Sequence, residues 1–110
     1  MATERNGVAQ YSSDELKQIL KEGTVQVIDV RTPEEYASGH IPGIPLRPME
    51  AVAKWIEDLN PNESYVFVCR SGNRSQRVAE FLKANGFKRI GNFDGGMLAW
   101  DGDIKTGSNP

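Results

Sequence analysis

The residues able to do chemistry gather in one short stretch. Val66-Phe67-Val68 is an apolar, β-type run that ends in Cys69, the only cysteine of the chain. A polar segment with two arginines follows, Arg70-Ser71-Gly72-Asn73-Arg74-Ser75, and there a helical pattern begins. The reactive form of cysteine is the thiolate, and a free thiol titrates near about pH 8.5. A helix N-terminus and nearby cations both favour the thiolate, and both lie within a few residues of Cys69. A loop of Ser, Gly and Asn can also curl so that successive backbone N–H groups point inward as an anion-binding nest. Gly72 assists because glycine takes a positive φ without strain. The stretch therefore predicts a cradle for one anionic sulfur, or for an anion held above it. By position alone a cysteine ending a buried strand is a small core hydrophobe. The arginines, Gly72 and the helix start turn the balance toward a nucleophile.

Three further residues compete for a role. His40, the single histidine, could be the base of a Cys–His pair. It follows Gly39 at a helix end, and a thiol activated by dipole and cations needs no base, so a turn-stabilising side chain is the expected role. Asp29 and Arg31 sit just after a strong strand, where they can form a structural ion pair or line a pocket. Asp29 is read as structural, and Arg31 is left open between the two.

These groups need elements to position them. Val8-Ala9-Gln10-Tyr11 can form a short strand. Ser12 and Glu15 form a capping box for a helix whose Leu16, Ile19 and Leu20 share one face and which stops at Gly23. Thr24 to Val30 is β-branched and almost continuously apolar, as in a strand covered on both faces. Thr32 as N-cap, Pro33 at the first position and Glu35 at the third predict a short helix ending at Gly39. Residues 40–48 hold three prolines and cannot be helical, leaving an extended connection with a brief strand around Ile44–Leu46. Ala51, Val52, Trp55, Ile56 and Leu59 make an amphipathic helix. Ser64 to Val68 is the second strong strand. After the loop, Asn73 as N-cap and Gln76 at the third position open a helix with Val78, Phe81 and Leu82 apolar. Arg89 to Phe93 predicts a last short strand weakened by Gly91, and Asp94 to Trp100 a capped final turn with Met97 and Trp100 packed on the core.

Strands thus alternate with helices throughout. That predicts a three-layer α/β/α sandwich with a mostly parallel central sheet of 4–5 strands. In such folds sites form at the carboxyl ends of strands, where Cys69, Asp29 and Arg31 all fall. With 110 residues, 38% of them hydrophobic, the chain fits a single domain over residues 8–101, with flexible ends at 1–7 and 102–110. A net charge of −2, without a basic run or zinc-ligand spacing, argues against nucleic acid as a partner and against a metal. One cysteine makes no internal disulfide, no apolar leader segment opens the chain, and no apolar run is long enough for a membrane span. The expectation is a monomer in the cytoplasm, with no cofactor.

Five segments in order resemble the single-domain rhodanese family of sulfurtransferases. They are Val27-Ile28-Asp29-Val30-Arg31, Glu34-Glu35-Tyr36, Gly39-His40-Ile41-Pro42-Gly43, Cys69 to Ser75, and Asp94 to Trp100, and the similarity spans roughly residues 8–101. The resemblance implies a double displacement. Cys69 would take the outer sulfur of an anionic donor such as thiosulfate as a persulfide, and a small-molecule or protein acceptor, cyanide in the usual assay, would then remove it. It also implies that the amides of the loop from Arg70 through Ser71, Gly72 and Asn73 to Arg74 stabilise the persulfide, while Arg70 and Arg74 attract the donor. Family members usually read His-Ile-Pro-Gly-Ala-Ile/Val-Asn-Ile-Pro. Here His40-Ile41-Pro42-Gly43-Ile44-Pro45-Leu46 is shorter by about two residues, at the strand that builds a pocket wall.

Other functions compete with this one. Phosphatases and arsenate reductases of related fold use Cys-x5-Arg, a loop sized for a tetrahedral oxyanion, whereas four residues separate Cys69 from Arg74. The smaller loop suits one sulfur atom. A non-catalytic binding module is the other rival, although inactive relatives usually lack the cysteine. A sulfur relay, in which the donor is a partner's persulfide and thiosulfate a substitute, is a variant of the same chemistry.

Overall fold

The computed structural model describes residues 3–110. Its centre is a sheet of five strands: β1 (Thr3–Arg5), β2 (Val8–Tyr11), β3 (Gln26–Asp29), β4 (Ser64–Val68) and β5 (Arg89–Phe93), in the spatial order β1-β2-β5-β4-β3. All neighbours run parallel except β1, which pairs antiparallel with β2. Five short helices complete the fold: α1 (Ser13–Glu22), α2 (Pro33–Ser38), α3 (Val52–Trp55), α4 (Asn73–Ala84) and α5 (Gly96–Ala99). This is the mostly parallel α/β sandwich that the alternation of strand and helix patterns predicts.

Strand alternation divides the core between the two faces of the sheet. Ile28, Tyr65, Phe67, Cys69 and Ile90 pack on one face with Val78, Ala79 and Leu82 of α4 and with Trp55. Val27, Val66, Val68 and Phe93 pack on the other with Leu16 of α1, and Met97 and Trp100 close over that side. Cys69 therefore continues the face that α4 covers, one residue beyond the end of β4.

The capping boxes form as the sequence predicts. Ser12 and Glu15 exchange both bonds at α1, and Thr32 and Glu35 do so at α2, with Pro33 in the first turn. The helix expected over 51–59 is broken up. Only Val52–Trp55 is α-helical, and 3₁₀ turns at Met49–Ala51 and Ile56–Asp58 flank it. Pro48 and Asn60-Pro61 leave room for little more, and the tighter i→i+3 turns satisfy the ends. The strand expected at 44–46 shrinks to a single parallel bridge between Asp29 and Leu46.

β5, expected as a marginal last strand, is internal, between β2 and β4. Gly91 is what lets it lie there: a Cβ at this position would stand 2.4 Å from the Tyr11 ring. The ends also differ from expectation. Residues 1–2 of the segment expected to be flexible lie outside the described residues, but Thr3–Arg5 forms β1, an edge that β2 offers with an open row of backbone groups. At the other end the chain folds back. Lys105 pairs with His40, the Gly107 amide donates to the Ala37 carbonyl at 2.8 Å, and the Gly43 amide donates to the Pro110 carbonyl at 3.1 Å.

Candidate active site

β4 delivers Cys69 to the carboxyl end of the sheet, and α4 starts four residues later. The cap of α4 is where local reading and structure part. Asn73 is not the N-cap. Gly72 is, at φ 92, and having no side chain it leaves the amides of the first turn without a cap of their own. Asn73 is instead the first helical residue and points outward, exposed. Gln76 lies buried and turns away, accepting from the Gln10 side chain at 2.7 Å and donating to the Arg5 carbonyl at 3.1 Å. The amides that a capping side chain would satisfy are left for the sulfur. A helix N-terminus without its own cap carries unsatisfied donors and a partial positive charge.

Cys69 Sγ takes up that role. The Gly72 amide donates to it at 3.1 Å and the Ser75 hydroxyl at 3.2 Å. Burial pushes the thiol up. The Ser75 hydroxyl and the amides of Ser75, Ser71 and Gly72 pull it down by more, and the net result lies below the ordinary thiol value. Cys69 has no exposed surface.

Two other features hold the loop. Its first carbonyls are caught by α5: the Met97 amide donates to the Cys69 carbonyl at 2.9 Å and the Leu98 amide to the Arg70 carbonyl at 3.0 Å. The N-terminus of α5, expected as a capped final turn, has no capping side chain and binds these carbonyls instead. A Cβ on Gly72 would stand 1.9 Å from the Asp94 carbonyl oxygen, and one on Gly96 would stand 2.4 Å from the Arg70 oxygen, so glycine is required on both sides of the contact. Beneath the loop, the buried Asn92 amide donates to the Gly72 carbonyl at 3.1 Å and to Gln10 Oε1 at 3.0 Å.

The arginines do not act alike. Arg70 is exposed and joins no ion pair among the described residues. Arg74, expected to be a free cation, forms a two-pronged pair with Glu35 of α2, Nη1 to Oε1 at 2.7 Å and Nη2 to Oε2 at 2.8 Å. Arg74 holds the Glu35 carboxyl down at about 2, against the cost of burial and with help from Thr32. The guanidinium is raised in turn by Glu35 and, less strongly, by Cys69. Ser71 is exposed, and its backbone amide is among the groups that draw the Cys69 thiol down.

Asp29 and Arg31 are structural. Asp29 is fully buried, Arg31 Nη2 reaches its Oδ2 at 2.8 Å and Nε its Oδ1 at 3.0 Å, and Nη2 also donates to the Gly39 carbonyl at 2.8 Å. His40 is buried and stacked on Tyr36 at 3.7 Å, with Nδ1 2.8 Å from the Tyr36 carbonyl, which is the turn-stabilising placement the sequence suggests. The residues that sequence reasoning missed are Ser75 and Glu35. Ser75 had a local signal, since the third position of a helix beginning at Asn73 turns back over the residue before the loop. The Glu35–Arg74 pair had none, because Glu35 already reads as half of a capping box.

A mostly parallel α/β sandwich that sets a hydrogen-bonded thiol between a strand end and an uncapped helix defines a class of cysteine-centred domains whose donors favour the thiolate. The Rhodanese-like domain model matches residues 12–103, and the chain belongs to the rhodanese family. It is 38% identical over 99 residues to YtwF of Bacillus subtilis, provisionally named a sulfurtransferase, covering 89% of this chain and 95% of that protein. It is 35% identical over 91 residues to the thiosulfate sulfurtransferase GlpE of Pseudomonas entomophila, covering 83% of each chain. Among solved structures, the rhodanese-like domain protein of Staphylococcus aureus superposes with a TM-score of 0.81 at 44% identity, covering 90% of this chain and 98% of that one.

Proposed function

We propose that the protein is a sulfurtransferase that carries a sulfane sulfur on Cys69. The observation that carries this reading is the pair of donors converging on one sulfur atom, the Gly72 amide at 3.1 Å and the Ser75 hydroxyl at 3.2 Å. Preorganised donors aimed at a developing negative charge lower the barrier to forming it. The Cys69 thiolate attacks the outer sulfur of a donor such as thiosulfate, the new Sγ–S bond forms, the donor's S–S bond breaks, and sulfite leaves with the electron pair. The persulfide then yields its outer sulfur to a thiophilic acceptor, cyanide in an assay, and the thiolate returns.

The donor's sulfur has to displace loop atoms to reach Sγ, because Cys69 has no exposed surface in the resting fold. Arg70, Ser71 and Asn73, all exposed, are the side chains free to move aside. Phosphate chemistry is disfavoured because only four residues separate Cys69 from Arg74, one fewer than in a Cys-x5-Arg loop, and because both prongs of Arg74 are bonded to Glu35. We place the reaction in a reducing compartment such as the cytoplasm, with the protein acting as a monomer.

Intact-mass measurement tests the reading. Incubation with thiosulfate should add one sulfur mass, cyanide should remove it, and Cys69→Ser should never acquire it. A wild-type protein that gains no sulfur from thiosulfate, a thiosulfonate or a persulfide refutes the assignment.

A further inference from the structure

We infer that Glu35 is a specificity-determining residue that makes the site discriminate against doubly charged sulfur donors by cancelling Arg74. The inference rests on the sulfur-transfer reading above and deepens it. Arg31, Thr32, Met49, Glu50 and Arg74 line a small cleft that adjoins the loop through Arg74. Two cations face it, and both are committed. Arg31 is held by the buried Asp29, and both prongs of Arg74 are spent on Glu35. Glu50 stands exposed at the same cleft with no ion pair among the described residues, so its carboxylate is the unbalanced charge. A dianion entering here meets no free guanidinium and one free carboxylate. Arg70 is the loop's remaining cation, and it is exposed, where screening by water and salt weakens its pull.

The reactions that compete deliver the same sulfur atom to Cys69 and differ in the charge of the donor and in the group that leaves. With thiosulfate, Cys69–S⁻ attacks the sulfane sulfur of S–SO₃²⁻, giving Cys69–S–S⁻ and SO₃²⁻. With an alkyl persulfide R–S–SH, attack on the outer sulfur forms the Sγ–S bond and breaks the donor's S–S bond. The proton passes to the departing thiolate, giving Cys69–S–S⁻ and R–SH. The first donor reacts as a dianion, and the second reacts through its neutral form R–S–SH. A carboxylate that holds a cation in a two-pronged grip removes that cation as a recognition element for other anions. Glu35 is also fixed from behind, since its Oε1 accepts from the Thr32 amide at 3.1 Å, so it cannot release Arg74 merely by swinging away.

Glu35→Gln tests this directly. Glutamine serves the third position of a capping box as well as glutamate does, so α2 keeps its cap while the charge is lost. The quantity measured is the ratio of kcat/KM for thiosulfate to kcat/KM for the persulfide of N-acetylcysteine methyl ester. Methanethiosulfonate, a monoanion, serves as the intermediate case. Freeing a half-exposed guanidinium toward a dianion should raise the ratio by roughly five- to tenfold, with about half that logarithmic gain for the monoanion. The gain should shrink as ionic strength rises. Arg74→Gln, which unmasks Glu35, should move the ratio the opposite way. Partial unfolding lowers both rates and leaves the ratio unmoved, so the reading survives a destabilised variant. An unchanged or lowered ratio in Glu35→Gln, in a protein whose wild type loads sulfur, overturns the inference and leaves sulfur transfer standing. A wild type that loads sulfur from none of the donors overturns both.

Discussion

Replacing Ser75 by alanine removes one oxygen atom from the floor of the site. That atom is the hydroxyl donating to Cys69 Sγ at 3.2 Å from a fully buried position. A hydrogen bond to a charged acceptor contributes about 1.5–3 kcal/mol, and each 1.36 kcal/mol or so is one pKa unit. Sulfur is a diffuse acceptor, and the amides of Ser71, Gly72 and Ser75 remain, so the lower end applies: the Cys69 thiol should rise by about one unit. Burial then has less opposing it and moves the group toward or past the ordinary thiol value near about 8.5. The assay is the pH midpoint of alkylation by iodoacetamide across pH 5–10, which follows the thiolate fraction while loop opening scales the rate; Cys69 is the only cysteine, so no other thiol contributes. The stability consequence has a definite sign. The folded-state pKa of Cys69 is depressed, so its contribution is full above the unfolded value of about 8.5 and is lost as pH falls through the folded value. The stability deficit of Ser75→Ala should therefore be larger at pH 9.5 than at pH 6. A midpoint that shifts by less than about 0.3 unit, or shifts downward, would refute the account of how this thiol is activated.

Other outcomes follow from the same contacts. Glu35 titrates at about 2 when folded against 4.5 ordinarily, so its pairing with Arg74 stabilises the fold above pH 4.5 and is lost as the pH falls toward 2. With both side chains about 30% exposed, screening limits this to about 1–2 kcal/mol, and urea unfolding should show the gap between wild type and Glu35→Gln closing over that window. Gly72→Ala puts a Cβ 1.9 Å from the Asp94 carbonyl oxygen at a positive φ; a loss of about 2–4 kcal/mol in chemical unfolding is expected, with the thiol pKa returning toward its ordinary value. Asp29→Asn leaves the Arg31 guanidinium, 6% exposed, without its counter-charge and should cost about 3–5 kcal/mol in the same measurement while Cys69 stays chemically competent in the folded fraction.

What the sequence by itself determined is what short-range physics encodes. Continuous apolar runs marked β3 and β4, reciprocal Ser/Glu and Thr/Glu signals marked the starts of α1 and α2, and a thiol ending β4 before a Gly-containing loop located the site. Each rests on hydrogen bonds or side-chain periodicity within a few residues, so it is written in adjacent letters. Tertiary structure decided the remainder. Gly72 rather than Asn73 caps α4, because the backbone at that position must pass against the Asp94 carbonyl and only glycine fits there. The marginal stretch at Arg89–Phe93 became an internal strand once Tyr11 could lie over Gly91. The pairing of Arg74 with Glu35, 39 residues away, gave its charge to α2 instead of leaving it open to a donor. No local pattern records that choice. Which of the available carboxylates an arginine grips depends on where the packed sheet sets α2 against the N-terminus of α4, and packing over that distance is a property of the fold.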